Sequence, residues 1–127
     1  MLLTIVQNIY NVDTVADILG AFEQAVLLAL LRPSTPLGRE AYGRAILKEV
    51  QLRLDRNVAA GAVYATLDRL EQKGLIASRL GAGTQARAGR PRRFYSIEPS
   101  GVRALNDAKA ASERLWDGIR WPIKGTT

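Results

Sequence analysis

Residues 59–80 read Ala59-Ala60-Gly61-Ala62-Val63-Tyr64-Ala65-Thr66-Leu67-Asp68-Arg69-Leu70-Glu71-Gln72-Lys73-Gly74-Leu75-Ile76-Ala77-Ser78-Arg79-Leu80. Ala60, Val63, Leu67 and Leu70 recur at spacings of three and four. That is the buried stripe of a helix running from about Ala59 to Lys73. Asn57 stands where an N-cap is expected. Gly74 falls where a left-handed residue closes a helix. Leu75 to Leu80 then reads as a strand. A helix that turns into a strand through one glycine orients everything around it.

Upstream, Asp55-Arg56-Asn57 is a short polar break. Before it a second helix is expected from about Arg39 to Leu54, with Tyr42, Ile46, Leu47, Val50 and Leu54 on its apolar face. A first helix starts near Asp17 and carries Leu19, Phe22, Val26, Leu27 and Leu30. Pro33 stops it, and Ser34-Thr35-Pro36 is turn chemistry. Residues 1–17 are open between a loosely packed arm and an extra helix. Leu2, Ile5, Val6, Ile9 and Tyr10 fit a helical stripe, and Asn8, Asn11 and Asp13 weaken it.

Downstream, Gly81–Gly89 reads as a flexible loop containing Gly81, Gly83 and Gly89. Arg93–Ile97 reads as a second strand, rich in aromatic and β-branched residues. Pro99 suits the first turn of a last helix, about Pro99 to Gly118. Leu105, Ala108, Ser112, Leu115 and Ile119 give that helix an apolar seam, with Trp116 beside it and Trp121 past its end. The order helix, helix, helix, strand, strand, helix predicts a mainly α chain with a small β-hairpin. This is a winged helix-turn-helix plus a C-terminal dimerisation helix. The expected parts are an N-terminal extension (1–17), a DNA-binding domain (18–98), a dimerisation helix (99–120) and a tail (121–127).

At this point the residues resemble a known family. The run from Gly61 to Ile76 is similar to the recognition-helix signature of the PadR regulators: a glycine, an apolar-Tyr pair, an apolar run, then Leu-Glu and Gly-Leu-Ile. Gly89-Arg90-Pro91-Arg92-Arg93-Phe94-Tyr95-Ser96-Ile97, followed by Pro99-Ser100-Gly101, resembles the family's second wing strand and the start of its last helix. Ala41-Tyr42-Gly43 is a looser match. Glu98 departs from the family, which often has Thr there, and the last helix is short. The resemblance implies a repressor that binds double-stranded DNA, and it implies a phosphate contact for Tyr64.

Charge points the same way. The 127 residues carry a net charge of +6. Between Glu71 and Glu98 there is no acidic residue, while Lys73, Arg79, Arg87, Arg90, Arg92 and Arg93 lie in that interval. A basic stretch so confined is the footprint of a polyanion or a solvated basic loop. There is no cysteine and no histidine. This excludes disulfides, the usual nitrogen or sulfur metal sites and Ser/His or Cys/His nucleophilic catalysis. No Gly-rich phosphate loop or carboxylate pair suggests an enzyme, and no cofactor is expected. No apolar run reaches the ~20 residues that cross a bilayer. The N-terminus is a poor secretory signal, so a cytoplasmic protein is expected.

With Val63, Leu67 and Leu70 inward, helical phase turns Gly61, Ala65 and Asp68 outward and leaves Tyr64 at the border. Small leading residues predict modest direct readout: close backbone approach at Gly61 and methyl contact from Ala62 or Ala65. Shape and half-site spacing would carry the rest. The candidate DNA contacts are Tyr42, Asn57, Ala60, Gly61, Ala62, Tyr64, Ala65, Arg69, Lys73, Arg87, Arg90 and Arg92. Against these stand plainer readings. Tyr64 and Tyr42 can cap the core edge, Arg69 can be a surface charge, and Arg92 or Arg93 can pair with a carboxylate. Leu105, Ala108, Ser112, Leu115, Trp116 and Ile119 are the candidate homodimer seam, which can also pack back on its own domain. Trp116 and Trp121 are a candidate platform for a small hydrophobic or aromatic effector, or simple core or interface residues. The competing function is a winged-helix protein-interaction module that never touches DNA.

Overall fold

A computed structural model describes residues 18–31, 40–83 and 91–125. The expected N-terminal extension and the wing tip carrying Arg87 and Arg90 lie outside the described residues, as do Pro33, the turn after it and Gly38. The first helix, α1 (Ala21–Ala29), is opened by Glu23, whose carboxylate accepts the Gly20 amide at 3.3 Å. It buries Ala25, Val26, Leu27 and Ala29.

The next element corrects the sequence reading. The second helix does not begin at Arg39. Glu40–Tyr42 is a short strand, β1, and α2 spans Gly43–Leu54. Tyr42 is the extended residue capping α2 and not a member of its apolar face. The reason is tertiary. The later strand β3 (Pro91–Ile97) has a free edge, and β1 pairs with it antiparallel, Tyr42 opposite Phe94. Three residues are too few to announce themselves by period. The wing is therefore a three-stranded sheet in the order β1-β3-β2, with β2 spanning Ile76–Gly83. β2 pairs antiparallel with β3 from Ile76 opposite Ile97 to Leu80 opposite Arg93, and a bulge follows before Gly83 meets Pro91.

α2 closes through Asp55 in the left-handed conformation, φ 52°. The Gln51 side chain donates to the Val58 carbonyl at 3.1 Å and holds the turn. α3 spans Ala60–Gln72. Its N-cap is Ala59, with no side-chain cap, so Asn57 lies two residues upstream of the capping position it was expected to fill. Ala60 is exposed, not buried. Thr66 completes the inward stripe with Val63, Leu67 and Leu70. Gly74 takes φ 78° and donates to Glu71 O, while the Leu75 amide reaches Leu70 O. This double bond is the left-handed closure expected there.

α4 spans Pro99–Trp116, with Pro99 in its first turn. Its start is tied to the end of α3: Glu98 N donates to Leu75 O, and Ser100 Oγ to Gly74 O at 2.6 Å. The core lies between α1, α2, α3 and the inner sheet face, where Ile76 and Tyr95 are buried. Ala108 of α4 joins it at 5% exposure. Ala108 was expected in a dimer seam, yet it is covered by its own chain, and Leu105 is half-buried on the same core. The seam divides there. Ser112, Leu115, Trp116 and Ile119 remain exposed.

Candidate nucleic-acid interface

α3 presents its N-terminal half to solvent. Ala60, Gly61, Ala62 and Ala65 are exposed, with Asp68 a turn further on. No acidic residue stands in the first turn. The Ala62 and Val63 amides reach back to Ala59 O, which leaves the Ala60 and Gly61 amides without a helical partner. Unpaired amides and the positive end of the helix dipole favour an anion there.

Tyr64 is 45% exposed. Its ring lies on Gly43, the first residue of α2, where any Cβ would overlap it. The ring thus packs on the α2 start, as the core-edge reading expected, and remains partly open to solvent. Asn57 is exposed in the turn before α3. Arg69 donates to Thr66 Oγ1 at 3.1 Å, which satisfies a buried hydroxyl. Lys73, a candidate phosphate contact, pairs instead with Glu23 of α1 at 3.3 Å. It sits at the opposite end of the helix from the small residues.

The outer face of the sheet carries a row that sequence reasoning missed. Tyr42, Phe94 and Arg79 are register neighbours across the three strands, so their side chains share one face. The Tyr42 and Phe94 rings meet edge to face at 6.2 Å. The Arg92 guanidinium lies 4.3 Å over Tyr42, and Arg79 lies 5.0 Å over Phe94. Arg92, a candidate DNA contact, is thus stacked on a ring, with its Nε buried and without a hydrogen-bond partner among the described residues. Tyr42, proposed as a contact, is held between Arg92 and Phe94. Arg93, on the inner face, donates to Ser78 Oγ at 3.0 Å, and Ser78 donates to Glu71 at 2.8 Å. Arg93 thus bonds a hydroxyl that in turn bonds a carboxylate, which is not the direct carboxylate pairing allowed for Arg92 or Arg93.

Arg44 was also missed. It is exposed in the first turn of α2 and follows Gly43, the residue on which the Tyr64 ring lies. A cation at a helix N-terminus is unfavourable for the helix, and that was the one signal available. Between these elements Tyr95 is buried at 4% exposure. Burial pushes its phenol above the ordinary 10.0. Arg93 opposes this, while Asp68, Glu71 and Tyr64 add to the rise.

The family model for PadR-like transcriptional regulators matches residues 35–107. The chain belongs to that family. Solved structures agree. It is 26% identical to a PadR family regulator from Eggerthella lenta, with a TM-score of 0.62 over 91% of this chain and 93% of that one. A transcriptional regulator from Clostridium thermocellum is 23% identical, TM-score 0.62, over 88% and 99% of the two chains. A PadR-like regulator from Bacillus cereus is 21% identical, TM-score 0.62, over 84% and 95%. The last two are likenesses of fold alone. No curated protein sequence matches. PadR proteins are transcriptional regulators and not enzymes, and the winged helix described above is their fold. No helix among the described residues is long and apolar enough to cross a membrane.

Proposed function

We propose that this PadR protein is a repressor that binds a two-fold DNA operator as a homodimer. One observation carries the reading: the first two turns of α3 offer solvent only small side chains and the edge of Tyr64, with no acidic residue before Asp68. Such a surface lets the helix backbone come close to the major groove. Tyr64 then meets a phosphate, joined by Arg44 from the start of α2. Small side chains read few bases directly, so DNA shape and half-site spacing carry much of the specificity.

Pairing of two copies is supported by the outer half of α4 and the segment after it. Leu115 is 78% exposed, Trp121 70% and Ile123 62%. So much apolar surface at one end of a small chain favours association. Trp116 and Trp121 meet edge to face at 5.5 Å in the same region. Their exposure and mutual contact support the reading of this end as a site for a flat hydrophobic effector.

The test is a fluorescence-anisotropy titration against the DNA upstream of the protein's own gene, beside a shuffled duplex, at low and physiological salt. Salt-sensitive binding that prefers the upstream duplex supports the regulator reading with an operator at its own gene. Absence of binding at low salt sinks it and favours a protein-docking role for the same fold.

A further inference from the structure

The Tyr64 ring and Gly43 are 21 positions apart in sequence and in contact in the fold. A Cβ on residue 43 would come within 2.5 Å of Tyr64 Cε1 and 2.6 Å of Cζ, and closer still to the hydroxyl oxygen. All three are atoms at the far end of a side chain that is almost half exposed. Gly43 has no positive φ to require a glycine; its place is in a helix, where glycine is less favourable than alanine. Helix propensity alone therefore argues against a glycine at this position, and the Tyr64 ring argues for it.

We propose that Gly43 is a positioning residue for DNA binding: it exists to seat the Tyr64 ring and so sets where the hydroxyl points. This rests on the reading of Tyr64 as a DNA contact. A methyl group at 43 forces the ring tip to swing outward into solvent, at little cost to the fold because the three atoms nearest that methyl all belong to the far end of a half-exposed side chain. The hydroxyl then leaves its place against the start of α2. Gly43 is also the residue after Tyr42, whose backbone pairs with β3. The seat under Tyr64 is thus fastened to the wing, and the recognition helix and the wing share one reference point.

The experiment is a double-mutant cycle on the full chain: wild type, Gly43→Ala, Tyr64→Ala and the two together, each titrated with the duplex that the wild type prefers. Thermal unfolding and the NMR ring signals of Tyr64 are recorded alongside. Gly43→Ala is expected to keep or raise Tm, to shift the Tyr64 ring signals and to weaken DNA binding about tenfold, as for one lost hydrogen bond to a charged group. In the Tyr64→Ala background the same change is expected to cost less than about twofold, because coupled sites are not additive. An equal loss in both backgrounds, or unchanged affinity with the ring displaced, overturns the inference while leaving the regulator reading intact. A wild type that binds no duplex overturns both.

Discussion

Tyr95 shows how one buried phenol ties the stability of the fold to pH. Its pKa is raised from 10.0, first by burial. The folded state therefore holds the proton more tightly than the unfolded chain does. The stabilisation is complete below pH 10 and is lost as pH rises through the folded value. Denaturant unfolding at a series of alkaline pH values is expected to show stability falling above about pH 10, and Tyr95→Phe to flatten that fall. A variant with the same slope as wild type would rule the phenol out. Gly101 makes a steric prediction. A Cβ there would overlap the Leu75 carbonyl oxygen and come within 2.7 Å of Ile97 Cγ1. Unlike the Tyr64 ring, the carbonyl is backbone and cannot swing away. Gly101→Ala is expected to cost about 1–3 kcal/mol in urea unfolding, as overpacking does.

At the level of elements, α3 separates stability from function. Gly61 is exposed at its positive end, and no side chain lies within 4 Å of the position a Cβ would take. Gly61→Glu places a negative charge near that end, which favours the helix by about 0.3–1 kcal/mol. The same carboxylate faces DNA phosphates in the proposed complex. Unfolding is expected to move to higher denaturant while DNA affinity drops about tenfold or more. Equal affinity for wild type and variant would show that α3 does not enter the groove. α4 divides in a similar way. Its inner half, with Ala108, holds the domain together, and its outer half is free to meet a partner. Leu115→Glu is expected to leave circular dichroism unchanged and to shift the light-scattering mass from dimer to monomer. A dimer mass for the variant would place the pairing surface elsewhere.

For the whole molecule the relevant quantity is the placement of charge. The net +6 resides between Glu71 and Glu98. Not all of it is available: Lys73 pairs with Glu23, and Arg93 reaches Glu71 through Ser78. A dimer making about six to ten phosphate contacts would lose roughly 10³–10⁵ in affinity between about 50 and 200 mM salt. With part of the charge engaged inside the fold, the expected loss lies at the lower end of that range. The slope of log Kd against log salt, measured by anisotropy, checks this. A flat line would mean that the wing does not neutralise phosphates.

The sequence by itself determined the helices, the hairpin and their order, because each long element repeats its apolar residues with its own period. It determined the left-handed closure at Gly74 and the proline start of α4, which are local backbone chemistry. It also determined the confinement of positive charge and the small outward residues of α3. Only the tertiary structure decided the rest. β1 is three residues long and is a strand because the edge of β3 is there to pair with it. In sequence Arg92 is open between a DNA contact and a carboxylate partner, and in the fold it is stacked on a ring 50 positions earlier in the chain. The α4 seam has one period throughout, and nothing in that period says that Ala108 is covered from within while Leu115 is not. Gly43 meets Tyr64 across a 21-residue separation that no local pattern spans. Periodicity reports which face of an element is apolar. What lies against that face is settled only when the elements pack.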